Sequence, residues 1–188
     1  MAESKNNIIT HGLSGKIGDL IVFSQRGGKT YVSKAPKNKT VEDSPKQKEH
    51  KLKFQIATLY ARSVINSPDL KQMYSAKADN TKGMSIYNVA MKDFFNAPEI
   101  QSTDLTAYKG KTGDVIKVIA LDDFAVAAVS VKIENADGSL VEEGSAIDSG
   151  YEWIYITTTD NANLTGAIIT ISAADHPANL TEVTKVLE

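Results

Sequence analysis

Hydrophobic positions follow two different repeats along this 188-residue chain, and the change comes near its midpoint. In the first half, apolar residues recur at helical spacing over residues 52–64 and in two shorter stretches after that. Before them, two β-type runs flank Gly27 and Gly28, a pair that favours a tight hairpin turn. We therefore predict a polar, irregular lead-in over residues 1–11, a β-hairpin over residues 19–34, and then about three helices.

Capping residues indicate where the helices begin and end. Ser44 is a favourable N-cap and Pro45 a favourable first residue, so the first helix should run from there to about Asn66. The Ser67-Pro68 pair repeats this signal before a shorter helix. A third helix is expected over residues 84–96.

In the second half, β-branched and aromatic runs alternate with turn residues. Seven short strands at this spacing indicate a β-sandwich. We predict strands near residues 104–108, 114–122, 126–134, 139–144, 151–158, 167–174 and 181–187. The predicted fold class is α+β, with an N-terminal β-hairpin and about three helices followed by an all-β sandwich of about seven strands.

Three segments of the second half carry a recognisable pattern. They are Ala120-Leu-Asp-Asp-Phe-Ala-Val-Ala-Ala-Val-Ser-Val, Gly150-Tyr-Glu-Trp-Ile-Tyr and Ile169-Thr-Ile-Ser-Ala-Ala-Asp-His-Pro-Ala-Asn. In this order they resemble the bacterial immunoglobulin-like (Ig-like) domain, which implies an Ig-like sandwich over residues 99–188 and little about function. Ala178 stands where that family usually has glycine. The Ser-Gly-Lys-Ile-Gly opening at residues 14–18 resembles that of uncharacterised bacterial proteins, from which no function follows.

Charge also separates the two halves. Residues 1–98 contain 16 Lys and Arg against 8 Asp and Glu, a net charge of +8, and residues 99–188 contain 5 against 15, a net charge of −10. We therefore predict two domains, a basic hairpin-plus-helices module over residues 1–98 and an acidic Ig-like sandwich over residues 99–188. This division suggests that each half faces a different neighbour, with two solvated surfaces of opposite sign as the plain alternative.

Residues that enzymes use for covalent or metal-assisted chemistry are sparse. The chain has no cysteine and three histidines, His11, His50 and His176, which lie far apart in the sequence. Gly28-Lys29 matches the end of a phosphate-binding loop, but Phe23 occupies the position at which that loop requires glycine. We predict a protein that is not an enzyme and needs no cofactor.

Three aspartates fall at predicted strand ends of the sandwich and could converge. Asp122, Asp123 and Asp175 carry the oxygen ligands that Ca²⁺ prefers, although no EF-hand-type loop accompanies them. Capping of turns by these side chains is the plainer interpretation, so they are weak calcium candidates.

The densest basic stretch begins in the linker after the hairpin and continues into the first helix, and further basic residues precede it in the hairpin. Such a stretch can neutralise phosphate groups and bind nucleic acid without reading its sequence. Acidic residues interrupt it and aromatic residues are few, so a solvated linker and helix face is the alternative. The candidate interaction residues are Arg26, Lys29, Lys34, Lys37, Lys39, Lys46, Lys48, Lys51 and Lys53.

These features favour a non-catalytic structural or interaction protein. We expect a subunit of a larger assembly, a phage or phage-tail-like particle, with other copies or other subunits as partners. Nucleic-acid binding through the basic half is the alternative, and binding of carbohydrate or a cell surface through the sandwich loops is a third.

No apolar run approaches the ~20 residues that span a bilayer, and the N-terminus lacks an apolar secretory segment. We therefore expect synthesis in the cytoplasm without a signal peptide, and release in a particle.

Overall fold

The computed structural model describes residues 2–4, 7–37 and 42–188. The chain divides into two compact units, Met1–Met91 (the N-terminal unit) and Lys92–Glu188 (the C-terminal unit). The α+β class is confirmed, because a hairpin and three α-helices precede a β-sandwich. The domain boundary at residues 98 and 99 stays a prediction.

A four-stranded antiparallel sheet opens the N-terminal unit. In spatial order β1-β4-β3-β2, its strands are β1 (Ala2–Ser4), β2 (Gly15–Ile17), β3 (Ile21–Arg26) and β4 (Lys29–Lys34). The predicted hairpin is β3 and β4, joined at Gly27 and Gly28, whose φ angles of +53° and +74° suit a two-residue turn. The prediction of an irregular lead-in over residues 1–11 is wrong at β1, where Ala2 pairs with Val32. Three residues are too few to show alternation, so only pairing with β4 defines this strand.

Three α-helices follow the sheet. They are α1 (Pro45–Asn66), α2 (Pro68–Ser75) and α3 (Ile86–Phe95), with a 3₁₀ turn (Asn80–Lys82) before α3. The predicted start of α1 is confirmed by a capping box, in which Gln47 N–H donates to Ser44 Oγ (3.3 Å) and Ser44 N–H donates to Gln47 Oε1 (3.0 Å). Local sequence signals therefore determine where this helix begins.

Buried side chains are concentrated on one face of α1, the helix that packs with α2. The buried residues of these two helices are Ala57, Ala61, Val64 and Tyr74. The hydroxyl groups of Tyr60 and Tyr74 share a hydrogen bond of 2.7 Å, and their rings meet edge to face. Ala57 and Ala61 on this face of α1 allow a close approach, whereas the large aliphatic residues Leu52, Ile56 and Leu59 are exposed.

Two four-stranded antiparallel sheets form the sandwich of the C-terminal unit. One sheet, in the order β5-β6-β10-β9, contains β5 (Glu99–Asp104), β6 (Val115–Leu121), β9 (Ile147–Asp148) and β10 (Trp153–Ile156). The other, in the order β12-β11-β7-β8, contains β7 (Val126–Glu134), β8 (Leu140–Ser145), β11 (Ile168–Asp175) and β12 (Leu180–Val186). The core includes the fully buried residues Ile116, Val118, Val131, Ile133, Ile169 and Ile171. The two-residue β9 brings the number of sandwich strands to eight, against about seven predicted.

The first predicted strand of the sandwich, over residues 104–108, is wrong. Strand β5 ends at Asp104, whose Oδ1 accepts hydrogen bonds from the N–H (2.9 Å) and the hydroxyl (2.7 Å) of Thr106. These bonds turn the chain, and Tyr108 is buried beyond the turn. The apolar residues after Asp104 therefore pack from a loop and do not extend a strand.

Candidate interaction surfaces

The face of α1 opposite its buried side carries a row of exposed aliphatic residues. Leu52, Ile56 and Leu59 are 58%, 46% and 64% exposed. Their i, i+4, i+7 spacing places them on one side of the helix, about 140° around from Ala57 and Ala61 at 3.6 residues per turn. We call Leu52, Ile56 and Leu59 the α1 stripe.

The basic residues predicted on α1 do not share one face. Lys46 and Lys53, seven residues apart, lie on one side of the α1 stripe, and Lys48 and Lys51 lie on the other. Lys51 Nζ forms an ion pair with Asp43. The α1 stripe therefore has cations along both of its edges, and the helix has no single basic face.

The other predicted interaction residues lie before α1. Lys34 ends β4 and Lys37 follows it, and both are exposed. Lys39 lies outside the described residues. Arg26 and Lys29 stand apart from the rest, because the β3–β4 register places them directly opposite each other at the end of the hairpin.

A groove of about 980 Å³ lies between the end of this hairpin and the segment that leads into α3. Arg26 and Lys29 line it from the hairpin, and Lys82 lines it from the other side. Among the described residues that line it, none is acidic. The residues of this hairpin groove are Gln25, Arg26, Gly27, Lys29, Tyr31, Thr81, Lys82, Gly83 and Asn88.

Asp79 orders the segment that carries Lys82. Its Oδ1 accepts hydrogen bonds from the N–H groups of Thr81 (3.0 Å) and Lys82 (3.4 Å), and its backbone pairs with Met84 in both directions at 2.8 Å. Hydrogen bonds to the carboxylate lower the pKa of Asp79. The bond from the Thr81 side chain has the largest effect, and the bond from the Lys82 side chain has the next largest. At Gly27, a Cβ would lie only 3.0 Å from the carbonyl oxygen of Thr81. The two walls of the hairpin groove are therefore in direct contact.

Three carboxylates converge in the C-terminal unit. Asp93 near the end of α3, Asp122 after β6 and Asp175 at the end of β11 place carboxylate oxygens within 4.8 Å of one another. Asp123 instead forms an ion pair of 3.1 Å with Lys92. The sequence pattern indicates Asp122 and Asp175 but not Asp93, because α3 is not part of the Ig-like pattern and no spacing links it to the sandwich loops.

The sandwich aspartates of this cluster also cap turns. Asp122 Oδ2 accepts hydrogen bonds from the N–H groups of Phe124 and Ala125, both at 3.0 Å. The two carboxylate oxygens of Asp175 accept hydrogen bonds from Asn179 N–H (2.6 Å) and Nδ2 (2.7 Å). Burial raises the pKa of Asp175, and the nearby charge of Asp122 adds to this effect. The cluster could contribute three of the roughly six to eight oxygens that Ca²⁺ requires, while turn capping explains two of its members without an ion.

The outer face of the β9–β10 pair carries a second exposed apolar group. Ile154 is directly opposite Ile147, and Ile156 shares that face of the sheet. Ile147 and Ile156 are 66% and 50% exposed. Trp153 and Tyr155 pack on the core instead. We call Ile147, Ile154 and Ile156 the β9–β10 face.

Comparison with known proteins gives one weak structural similarity. No protein-family model matches this chain, and no curated protein matches it. The crystal structure of CopC from Methylosinus trichosporium OB3b is similar over 47% of this chain and 89% of that one, with 14% identity and a TM-score of 0.35. A similarity at this level supports no inference about function. Within residues 2–4, 7–37 and 42–188, no helix has both the length and the apolar character needed to cross a membrane.

Proposed function

We propose that this protein is a non-catalytic structural subunit of a larger assembly, such as a phage or phage-tail-like particle. The α1 stripe is the observation that carries this proposal. Soluble monomers rarely leave contiguous large apolar side chains uncovered, and burial of each such side chain against a partner stabilises a complex by roughly 1.5–3 kcal/mol. A helix with apolar residues at i, i+4 and i+7 is a common docking element.

The occupant that we propose for the α1 stripe is the β9–β10 face of a second copy. Both surfaces are apolar, and both belong to the same chain. The lysines at the edges of the α1 stripe are part of a first half with a net charge of +8, whereas the β9–β10 face belongs to a second half with a net charge of −10. Opposite charge would guide the two surfaces together, and apolar burial would hold them.

Such a contact joins two different surfaces, so a pair of copies still has one unused surface of each kind, one on each copy. Heterologous contacts of this type extend into a filament, or into a ring if the rotation closes. Subunits of a particle can be joined through contacts of this kind. The C-terminal unit would then serve as a docking domain, and we propose that it is a bacterial Ig-like domain, as its three sequence segments suggest.

Light scattering coupled to size-exclusion chromatography tests this proposal at low and at high salt. We expect the wild-type protein to have a mass above that of one chain at low salt, and a smaller mass at high salt because screening weakens charge attraction. Ile56→Glu places a carboxylate in the centre of the α1 stripe and should yield a monomer. Gln55→Glu makes the same change in charge about 100° around the helix and should still assemble.

The matching change on the other surface is Ile147→Glu, which should also yield a monomer. An equimolar mixture of Ile56→Glu and Ile147→Glu retains one intact pair of surfaces and should form dimers and nothing larger. A monomeric wild-type protein at both salt concentrations would contradict self-assembly. If Ile56→Glu assembles to the same mass as the wild-type protein, the α1 stripe is not the surface through which the copies assemble.

A further inference from the structure

The hairpin groove has no part in the proposed assembly, and its charges need their own explanation. Arg26 and Lys29 are directly opposite each other in the pair that closes the hairpin. Like charges in this arrangement destabilise an antiparallel pair. An anion between the two side chains would convert their repulsion into attraction.

A third cation, Lys82, faces this pair across the groove. Its segment is ordered by Asp79 and is in contact with the hairpin at Gly27. Lys29 Nζ lies 3.4 Å from Glu3 and Lys82 Nζ lies 3.3 Å from Asp79, in ion pairs whose lysines are exposed. Exposed ion pairs contribute little to stability, so a phosphate group could replace these partners easily.

Tyr31 adds a different kind of contact. It lies two residues after Lys29 on the same face of β4 and lines the same groove. A volume of about 980 Å³ is far larger than a single phosphate needs. Cations that follow a backbone, together with an aromatic ring on which a base can stack, are typical of sites for single-stranded nucleic acid.

We propose that the hairpin groove binds single-stranded nucleic acid, with phosphates between Arg26, Lys29 and Lys82 and a base against Tyr31. The lysines of α1 do not belong to this site, because none of them lines the groove. The site therefore differs from the basic stretch that the sequence suggests, and it is independent of the α1 stripe.

Fluorescence anisotropy with a labelled oligothymidylate tests this assignment. The double variant Arg26→Ser with Lys82→Ser should weaken binding at least ~10-fold and lower the magnitude of the salt slope by about 1.4, because each cation removed from a single-strand site contributes about 0.7. Lys46→Ser with Lys48→Ser removes the same charge from α1 and should leave the affinity within about twofold of wild type. The wild-type and variant proteins are first compared by thermal unfolding, so that any change in binding is measured on folded protein.

Tyr31→Leu separates stacking from charge. It should weaken oligothymidylate binding by about tenfold at an unchanged salt slope, and it should have little effect on a DNA duplex of equal length. Leucine is an apolar side chain of moderate size at this position of β4, and Arg26, Lys29 and Lys82 all remain. An equal effect on single strand and duplex would contradict a base against Tyr31.

Three outcomes would overturn the proposal. Equal weakening by the α1 variant and the groove variant would indicate attraction to the overall positive charge. Competition by polyglutamate as effective as that by unlabelled oligonucleotide at equal charge would indicate an acidic peptide as the ligand. Inorganic phosphate or a nucleoside monophosphate that binds as tightly as the oligonucleotide would indicate a small anion.

Discussion

The two units of this protein treat their large aliphatic side chains in opposite ways. In the C-terminal unit, residues such as Ile133 and Ile171 are completely buried between two sheets. In the N-terminal unit, α1 buries small side chains while the α1 stripe is exposed to solvent. A sandwich with its own core is stabilised within one chain, whereas an exposed stripe gains its stabilisation only from a partner. The contrast predicts that equivalent truncations have very different effects in the two units.

The largest expected effect is that of Ile171→Ala, which leaves a cavity in the sandwich core. It should lower the free energy of unfolding by about 2–5 kcal/mol. Leu59→Ala removes an exposed side chain of similar size. At high salt, where we expect the assembly to dissociate, it should change the free energy of unfolding by less than about 0.5 kcal/mol. Urea denaturation measures both: the fluorescence of Trp153, the single tryptophan, follows the sandwich, and far-UV circular dichroism follows the helices. Comparable losses in the two variants would refute the contrast.

Gly27→Ala should have the next largest effect, now within the N-terminal unit. Its φ of +53° is unfavourable for alanine, and the new Cβ would lie 3.0 Å from Thr81 O. We expect a loss of about 2 kcal/mol in the local stability of the hairpin, measured by amide hydrogen exchange in β3 and β4. Gly28→Ala is the matched control, because its φ is also positive but nothing lies within 4 Å of its Cβ position. Equal losses at the two positions would show that contact with the Thr81 segment adds nothing.

Ala178→Gly should stabilise the C-terminal unit. Ala178 has a φ of +67°, and it occupies the position at which the Ig-like pattern has glycine. We expect a gain of about 1 kcal/mol, since relief of left-handed strain outweighs the greater freedom of glycine in the unfolded chain. Ala128→Gly, in strand β7, should instead destabilise by about 0.5–1 kcal/mol. Denaturation followed by Trp153 fluorescence distinguishes the two, and a loss at position 178 would contradict the interpretation.

Asp122→Asn should reveal repulsion within the carboxylate cluster. The raised pKa of Asp175 means that its favourable contribution to stability is complete in acid and is lost as the pH rises through its folded-state pKa. Asparagine keeps an acceptor for the Phe124 and Ala125 N–H groups and removes one charge. We expect a gain on the order of 1 kcal/mol at neutral pH and a smaller one in acid, as the pH falls below the raised pKa of Asp175 and its charge is lost.

Thermal unfolding of the wild type and Asp122→Asn across this pH range measures the effect. A gain that does not depend on pH would show that repulsion of Asp175 is not its origin. Addition of Ca²⁺ should raise the melting temperature of the wild type more than that of the variant if the cluster accepts a cation. An equal response would leave turn capping as its role.

Much of the fold was predictable because its signals are local. Ser44 and Pro45 predict the start of α1, and the Gly27-Gly28 pair predicts the hairpin, since caps and tight turns depend on a few adjacent residues. The β1 strand and the end of β5 were not predictable in this way. Pairing with the distant strand β4 defines β1. The hydrogen bonds that Asp104 accepts from Thr106 define the end of β5.

The candidate sites were less predictable than the fold. The sequence indicated Arg26 and Lys29 as part of one long basic stretch, but only the hairpin register brings them opposite each other and near Lys82. Similarly, Asp93 joins Asp122 and Asp175 from a helix outside the Ig-like pattern. Such sites depend on segments far apart in the chain, and no spacing in the sequence records their meeting.

The class of fold, the order of the three helices and most strands, and the division of charge between the halves follow from the sequence alone. These properties depend on local propensity, on periodicity and on composition. Which face of α1 is buried depends on tertiary packing. Helical spacing groups Leu52, Ile56, Leu59, Tyr60 and Val64 as one apolar stripe. The structure buries Val64 together with Ala57 and Ala61 and leaves Leu52, Ile56 and Leu59 exposed. The choice depends on which face another segment can approach closely, and that is a property of packing across the chain.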